Sequence, residues 1–336
     1  MSSRCLSWTW LLLCLPAVLA VDDACVADVP AEPRLVFDDP STVKDPDFAI
    51  QGEYSGDVKT DDGIKKLGVQ VIALGSGKFR AVAYIGGLPG EGWDGSERLS
   101  SEAATKDGST SFTGDKADAR LKDGSLTITD KNGTSIGVLK RLERKSPTLA
   151  AKPPEGAVVL FDGGTVDKFE NGHTTADHLL QPGVTSRQKF GSCSLHLEFR
   201  TPYQPNDRGQ KRGNSGCYLQ GRYEAQILDS FGLEGKNNEC GGLYQVKDPD
   251  LNMCFPPLTW QTYDIDFTAA TYEAGKKTKN ARMTVRLNGV VVQKDVELPG
   301  STTAAPVAES AEPGPLYLQD HGNPVRFRNI WIVEKK

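Results

Sequence analysis

Residues 213–232 read GNSGCYLQGRYEAQILDSFG. Turn-forming residues stand at both ends, and the stretch between them reads as a β-strand. Side chains on a strand alternate between its two faces. One set is Tyr218, Gln220, Arg222, Glu224 and Gln226; the other is Leu219, Gly221, Tyr223, Ala225 and Ile227. The second set suits a core. The first puts hydrogen-bonding and charged groups on the open side of a sheet, as a surface that binds a polar ligand would. The plainer alternative is a solvated face carrying an Arg–Glu pair.

A second stretch repeats the pattern. In SLHLEFR (194–200), Leu195, Leu197 and Phe199 alternate with His196, Glu198 and Arg200. WQTYDIDFTA (260–269) reads as a strand. ARMTVRLNGVVVQKDVEL (281–298) reads as a hairpin turning at Asn288-Gly289, and GPLYLQDHGNPVRFRNIWIVE ends the chain with two strands. Long polar loops separate them, and residues 232–259 are expected to form an ordered rim. Short strands, long loops and no clear helix predict two packed antiparallel sheets over residues 157–336, a jelly-roll sandwich. Two polar rows in such a sandwich suggest a ligand-binding sheet on which they converge.

Upstream, VQVIAL (69–74) and FRAVAYI (79–85) read as one hairpin, and GSLTIT (124–129) with TSIGVLKRL (134–142) as another across Asn132-Gly133. Residues 21–142 are thus expected to hold a small antiparallel β domain behind an extended lead-in. GSGKF lacks the full phosphate-loop pattern and reads as a turn. ERKSPTLAAKPPEG (143–156) reads as a linker. The 35 glycines and 20 prolines in 336 residues fit an all-β chain.

A net charge of −5 with no basic run speaks against nucleic acid as a partner. Arg4, the apolar run LLLCLPAVL (11–19) and Val18-Leu19-Ala20 read as a signal peptide over residues 1–20. That predicts export, to the periplasm or the extracellular space. The run is too short to span a bilayer, and no other segment is a candidate membrane span. Five of the seven cysteines follow it, and Cys240 and Cys254 flank one loop as the expected pair. No zinc-type spacing occurs.

Four histidines are present: His173, His178, His196 and His321. His321 follows Gln319-Asp320 in a turn, where a carboxylate can orient its ring; a turn histidine that only caps backbone is the structural alternative. His196 beside Glu198 reads equally as a packed polar neighbour. Glu198, Glu224, Asp229, Glu239 and Asp320 are candidate acids or bases. Arg200, Arg222, Arg326 and Arg328 are candidates to hold a developing oxyanion. Asp248 and Asp250 in DPDLN suit a turn better than a metal site. Tyr218 and Trp260 are the aromatics placed to stack on a ligand.

GNSGCYLQGRYEAQILDSFG, then CGGLYQV, WQTYDIDF and LYLQDHGNPVRFRNIWI, together resemble the 3-keto-disaccharide hydrolase domain family over about residues 157–334. The upstream domain resembles a segment that precedes this one in planctomycete proteins. The resemblance implies a concanavalin A-like jelly roll and cleavage of glycosides already oxidised at C3, by hydrolysis or elimination. A C3 ketone acidifies the C2 proton, so an enolate can expel the C1 substituent. Such a site needs a base, an oxygen stabiliser and an acid, but not the paired carboxylates of an ordinary glycosidase. His196 or His321 is then the candidate base. Glu198 and Glu224 serve as acid/base or sugar binders, and Arg222 as oxygen stabiliser. Tyr218, Gln220, Gln226, Trp260, Asp320 and Asn323 are the candidate substrate-binding residues. No cofactor is required, although a divalent metal ion is an alternative stabiliser. The glucanase signature E-x-D-x-E fails here, because Gln226 follows Glu224 where Asp belongs. A non-catalytic carbohydrate-binding module is the alternative reading.

Overall fold

The computed structural model describes residues 34–335. The expected signal peptide, the first part of the lead-in and Cys25 lie outside the described residues. No helix among the described residues is long and apolar enough to cross a membrane.

A short lead-in with a helical turn at Asp47–Ile50 precedes eight consecutive antiparallel strands. They are β1 (Gly52–Thr60), β2 (Gly63–Gly75), β3 (Lys78–Ile85), β4 (Arg98–Lys106), β5 (Ser109–Thr113), β6 (Ala117–Lys122), β7 (Ser125–Asp130) and β8 (Ser135–Leu142). Each pairs with the next, and β1 pairs with β8, so the sheet closes into a barrel. Asp107-Gly108 and Asp123-Gly124 take positive φ at both turn positions, the geometry that matches the twist of tight hairpins. Tyr54, Val71, Phe79, Phe112, Leu126 and Leu139 are among the residues packed in its interior. Tyr203 and Leu258, from loops of the second unit, join the same core. Tyr203 is fully buried, packs against Phe48 at 5.1 Å, and donates to Asp45.

The remaining strands are β9 (Val158–Phe161), β10 (Phe169–Glu170), β11 (Val184–Phe190), β12 (Cys193–Arg200), β13 (Ser215–Leu219), β14 (Tyr223–Ile227), β15 (Gln261–Thr268), β16 (Thr271–Glu273), β17 (Lys276–Lys279), β18 (Ala281–Leu287), β19 (Val290–Leu298), β20 (Gly314–Leu318) and β21 (Arg326–Glu334). A five-stranded sheet runs β10-β11-β20-β13-β14 and a six-stranded sheet β19-β18-β15-β12-β21-β9; β16 and β17 form a small ribbon. Leu195, Leu197 and Phe199 of one sheet share a core with Cys217, Tyr223 and Ile227 of the other. Tyr223 and Phe267 touch across the gap at 5.5 Å. This is the expected all-β jelly-roll sandwich, and the small β domain before it is a closed barrel.

Two expectations change. The stretch 213–232 is a hairpin, β13 and β14, and not a single strand. Gln220, Gly221 and Arg222 form its turn, with Gln220 and Gly221 both at positive φ. A three-residue loop preserves parity, so Tyr218 still faces the same side as Glu224, which lies directly opposite it. The polar row His196/Glu198/Arg200 belongs to the other sheet. Because both sheets turn their apolar sets inward, the two polar rows point out of opposite sides of the sandwich and cannot converge.

Candidate functional site

The outer face of the five-stranded sheet carries one continuous polar floor. Glu224, Tyr218, Tyr317 and Thr185 stand in register across β14, β13, β20 and β11. Gly216 and Gln226 form the next pair along, and Gln319 bonds through its N–H to the Gly216 carbonyl. Gly216 is required here. A Cβ at that position would lie 2.2 Å from Glu224 Oε1 and 2.9 Å from the Tyr218 ring.

Tyr218 donates to Glu224 Oε2 at 2.7 Å, stands 3.2 Å from the Thr303 carbonyl, and accepts from Gln319 Nε2 at 3.3 Å. Glu224 is 2% exposed. Burial pushes its carboxyl up to about 8, and the Tyr218 hydrogen bond only partly opposes this. Among the described residues no arginine or lysine bonds it. Burial, then the Glu224 charge, raises the Tyr218 hydroxyl in turn. Near neutral pH the pair therefore holds one more proton than ordinary groups would. The Tyr218 hydroxyl has two acceptors, Glu224 and the Thr303 carbonyl, so it can keep its O–H on the carboxylate once the carboxyl gives up its proton.

β14 is an edge strand, and two loops satisfy its free backbone groups. Glu224 N–H donates to Thr302 Oγ1, and Thr302 N–H to the Arg222 carbonyl. Gln226 N–H donates to the Gly242 carbonyl, and Tyr244 N–H to the Glu224 carbonyl. The loop 232–259 is thus an ordered rim in this part, as expected. Thr303 and Gln245 hydrogen-bond where the two loops meet. At the far end of the floor, Gln226 Nε2 donates to Gln210 Oε1, which lies beside Asn214.

The other candidates fall into three places. Asp320 and His321 stay beside the floor: the Asp320 backbone reaches the Tyr317 hydroxyl, and both side chains are exposed. Among the described residues nothing hydrogen-bonds the His321 ring. Asn323 is buried in the same turn, donating to the His321 carbonyl and accepting from Arg34.

Gln220 and Arg222 sit at the hairpin end and leave the floor, a correction to the expected row. Gln220 donates to the Phe190 carbonyl. Arg222 spends its guanidinium on the carbonyls of Ala308, Ser310 and Glu312 and on Ser310 Oγ. It is buried, and it holds the loop after β19 in place from the hairpin end of the sheet.

His196, Glu198 and Trp260 lie on the far side, over the six-stranded sheet, and this too is a correction. His196 Nδ1 pairs with Asp264 at 2.7 Å, and its ring stacks on Trp331 at 5.0 Å. Glu198 accepts from Ala150 N–H, Asn329 and Arg328. Burial would raise Glu198, but His196, Asn329, Arg328 and the Ala150 N–H outweigh it and hold the carboxyl at about 2. For His196, burial is outweighed by Asp264 and Glu198, and its pKa is raised. Residues 146–151, expected as linker, cover both groups: Ser146 and Thr148 bond Thr262, and Thr148 also bonds Asp264. Buried and fully partnered, this network clasps the segment that joins barrel to sandwich.

The residues at the floor do not fit a protein-held metal. Among the described residues no group of three or more His, Cys, Asp or Glu side chains is placed to hold one. Asp248 accepts from Asn237, and Asp250 pairs with Lys247.

Sequence reasoning missed Tyr317 and Gln319, although Leu316-Tyr317-Leu318-Gln319 alternates like the opening stretch. It also missed Tyr244, Thr302, Thr303 and Gln210, which come from loops with no periodic signal.

The model of the family described as the 3-keto-alpha-glucoside-1,2-lyase-like domain matches residues 156–333. The chain belongs to this family, and the sandwich with its polar floor is the matched part; the barrel lies outside it. Three solved structures from Parabacteroides distasonis ATCC 8503, each provisionally described as a glycosyl hydrolase, are similar to this chain. One is 34% identical, covering 54% of this chain and 85% of that one, with a TM-score of 0.49. The second is 20% identical over 54% and 95%, with a TM-score of 0.39. The third is 20% identical over 53% and 99%, with a TM-score of 0.37. Comparison with the curated proteins finds no match. Family and site together define a carbohydrate-active protein.

Proposed function

We propose that the floor around Glu224 cleaves glycosides already oxidised to a ketone at C3, by C2-proton abstraction and elimination at C1. One observation carries the reading. Glu224 is a buried carboxyl on the outer face of the five-stranded sheet, its pKa raised to about 8 by burial and its carboxylate bonded by Tyr218. A neutral carboxyl is a proton donor, which is what a departing glycosidic oxygen needs.

In the proposed step, a base removes the proton from C2, made acidic by the neighbouring ketone. The C–H electrons form the C1–C2 double bond, and the C1–O bond breaks. Glu224 gives its proton to the departing oxygen, and the Tyr218 hydroxyl turns to stabilise the carboxylate left behind. His321, exposed beside the floor, is the residue assigned as base. Gln319 and Tyr317, both half-buried on the floor, present groups suited to sugar hydroxyls and the flat face of a ring, while the buried Gln226 is held by Gln210 and the Ile227 N–H.

The test incubates a 3-keto-α-glucoside and its unoxidised parent with the protein, with and without chelator, and reads products by mass spectrometry. The expected product is the unsaturated keto-sugar, from the oxidised substrate only. A free keto-sugar would mean hydrolysis. Cleavage of neither would leave the floor as a binding surface and sink the proposal. Arg4, the run 11–19 and Ala20 support export of the protein by a cleaved signal peptide. N-terminal sequencing of the secreted form should begin at Val21, and a retained Met1 would contradict this.

A further inference from the structure

Loss of the C2 proton leaves negative charge that the C3 oxygen must carry until the C1–O bond breaks. The reaction proposed for the floor therefore needs a hydrogen-bond donor at that oxygen as well as an acid at C1. Arg222, expected to supply the donor, is buried at the hairpin end of the sheet. Tyr218 spends its hydroxyl on Glu224 and the Thr303 carbonyl. The next residue in the row is Tyr317 on β20. It pairs directly with Tyr218, and the two rings lie 5.5 Å apart. Tyr218 and Glu224 are buried, whereas Tyr317 is half-buried, so a ligand reaching the floor from solvent meets Tyr317.

Two features suit the Tyr317 hydroxyl to an oxyanion. The Asp320 backbone N–H reaches its oxygen, and among the described residues no acceptor takes its proton. Burial raises its pKa against the opposing Asp320 N–H, so the hydroxyl stays protonated at neutral pH. The same turn also carries His321, one residue beyond Asp320. The C2 proton and the C3 oxygen sit on adjacent carbons, so the groups that meet them must be neighbours, as the exposed His321 and Tyr317 are. Glu224 lies two strands from Tyr317 along the row, a backbone separation of about 10 Å. That spacing leaves room for a sugar ring between an acid at C1 and a donor at C3. Gln319, also half-buried, donates to Tyr218, and its amide N–H is far less acidic than a phenol and stabilises an enolate less.

We propose that Tyr317 is a catalytic residue whose hydroxyl donates to the C3 oxygen and stabilises the enolate between loss of the C2 proton and elimination at C1, a role that rests on the keto-glycoside reading of the floor. His321 takes the C2 proton, and the C–H electron pair spreads onto the C3 oxygen. The Tyr317 O–H holds that oxygen without giving up its proton. When the pair moves on to form the C1–C2 double bond, the C3 carbonyl re-forms and the C1–O bond breaks. The departing oxygen takes the Glu224 proton.

A ketone with no leaving group isolates this step. The probe is an anhydroglucitol oxidised at C3, with hydrogen in place of the C1 substituent. In deuterated water its C2 proton exchanges only through the enolate, and NMR follows the exchange. Wild type should catalyse it, and Tyr317→Phe should slow it about a hundredfold while calorimetry shows affinity for the probe unchanged within about twofold. Tyr317→fluorotyrosine keeps the ring and the Asp320 contact and covers a Tyr317→Phe chain that fails to fold. Its more acidic hydroxyl should speed exchange severalfold near neutral pH. Exchange at the wild-type rate in both variants would overturn the proposal. So would a loss of affinity in Tyr317→Phe as large as its loss of rate, because Tyr317 would then only hold the sugar. Either result leaves the reading of the floor standing. Wild type that neither exchanges the C2 proton nor cleaves a 3-keto-α-glucoside would remove that reading and this role together.

Discussion

Replacing Glu224 with Gln keeps its shape and its acceptor for Tyr218 but removes the charge. In the folded protein this carboxyl titrates near 8, against an ordinary 4.5. Below 4.5 both folded and unfolded chains hold the proton, and the group contributes no pH dependence. As pH rises from 4.5 to 8, the unfolded chain has lost a proton that the folded chain keeps, so stability falls with pH. Above 8 the carboxylate is charged and buried, and the loss is complete. At about 1.4 kcal/mol per pH unit, the window amounts to about 5 kcal/mol, and relaxation around the ionised group trims it to about 2–5 kcal/mol. Urea unfolding of wild type and Glu224→Gln at about pH 4.5, 7 and 9 reads this directly. The two proteins should match at the lowest pH, and Glu224→Gln should be the more stable by about 2–5 kcal/mol at the highest. Parallel pH profiles would refute the reasoning, because they would mean that Glu224 titrates as an ordinary exposed carboxyl.

Gly216→Ala places a methyl group 2.2 Å from Glu224 Oε1, so the carboxyl must move. It should cost about 1–3 kcal/mol by urea unfolding and depress keto-glycoside turnover. His196→Ala leaves Glu198 and Asp264 without their shared partner and should cost about 3–5 kcal/mol below pH 6.5. Because the His196 pKa is raised, its stabilisation is full below 6.5 and lost as pH rises through the folded value. Unfolding in a Glu224→Gln background should show this decline with His196 present and not with His196→Ala. Tyr203→Ala empties the place where the sandwich enters the barrel core and should cost about 3–5 kcal/mol. Its melt should separate into two transitions where wild type shows one.

The sequence made the sandwich legible because most of its strands alternate cleanly. Leu195, Leu197 and Phe199 against His196 and Glu198 is a pattern that only a half-buried strand explains. The barrel was half legible. β2 and β3 carry runs of large apolar residues, whereas β5 and β6 bury one each, Phe112 and Leu121; Ala103, Ala117 and Ala119 pack against the same core, and small residues give a weak periodic signal. At the site, alternation correctly grouped Tyr218, Glu224 and Gln226. It could not reveal the turn at Gln220-Gly221, since a three-residue turn leaves the parity intact. Nor could it assign the two polar rows to sheets, because every strand of a sandwich turns its polar set outward. That is why His196 and Glu198 read as partners of Glu224 while standing on the opposite side. The loop residues around Glu224 were invisible for a different reason: Thr302, through its hydroxyl and N–H, and Tyr244, through its N–H, bond the free backbone groups of an edge strand.

The central claim is that the neutral Glu224 carboxyl delivers a proton to a leaving glycosidic oxygen. Product release from a 3-keto-α-glucoside, followed by mass spectrometry for wild type and Glu224→Gln across the pH range, tests it most directly. Wild type should release the unsaturated keto-sugar, with a rate that falls as pH passes through about 8, and Glu224→Gln should be slower by about a hundredfold or more. A Glu224→Gln protein that turns over as fast as wild type, with the same pH profile, would contradict the account.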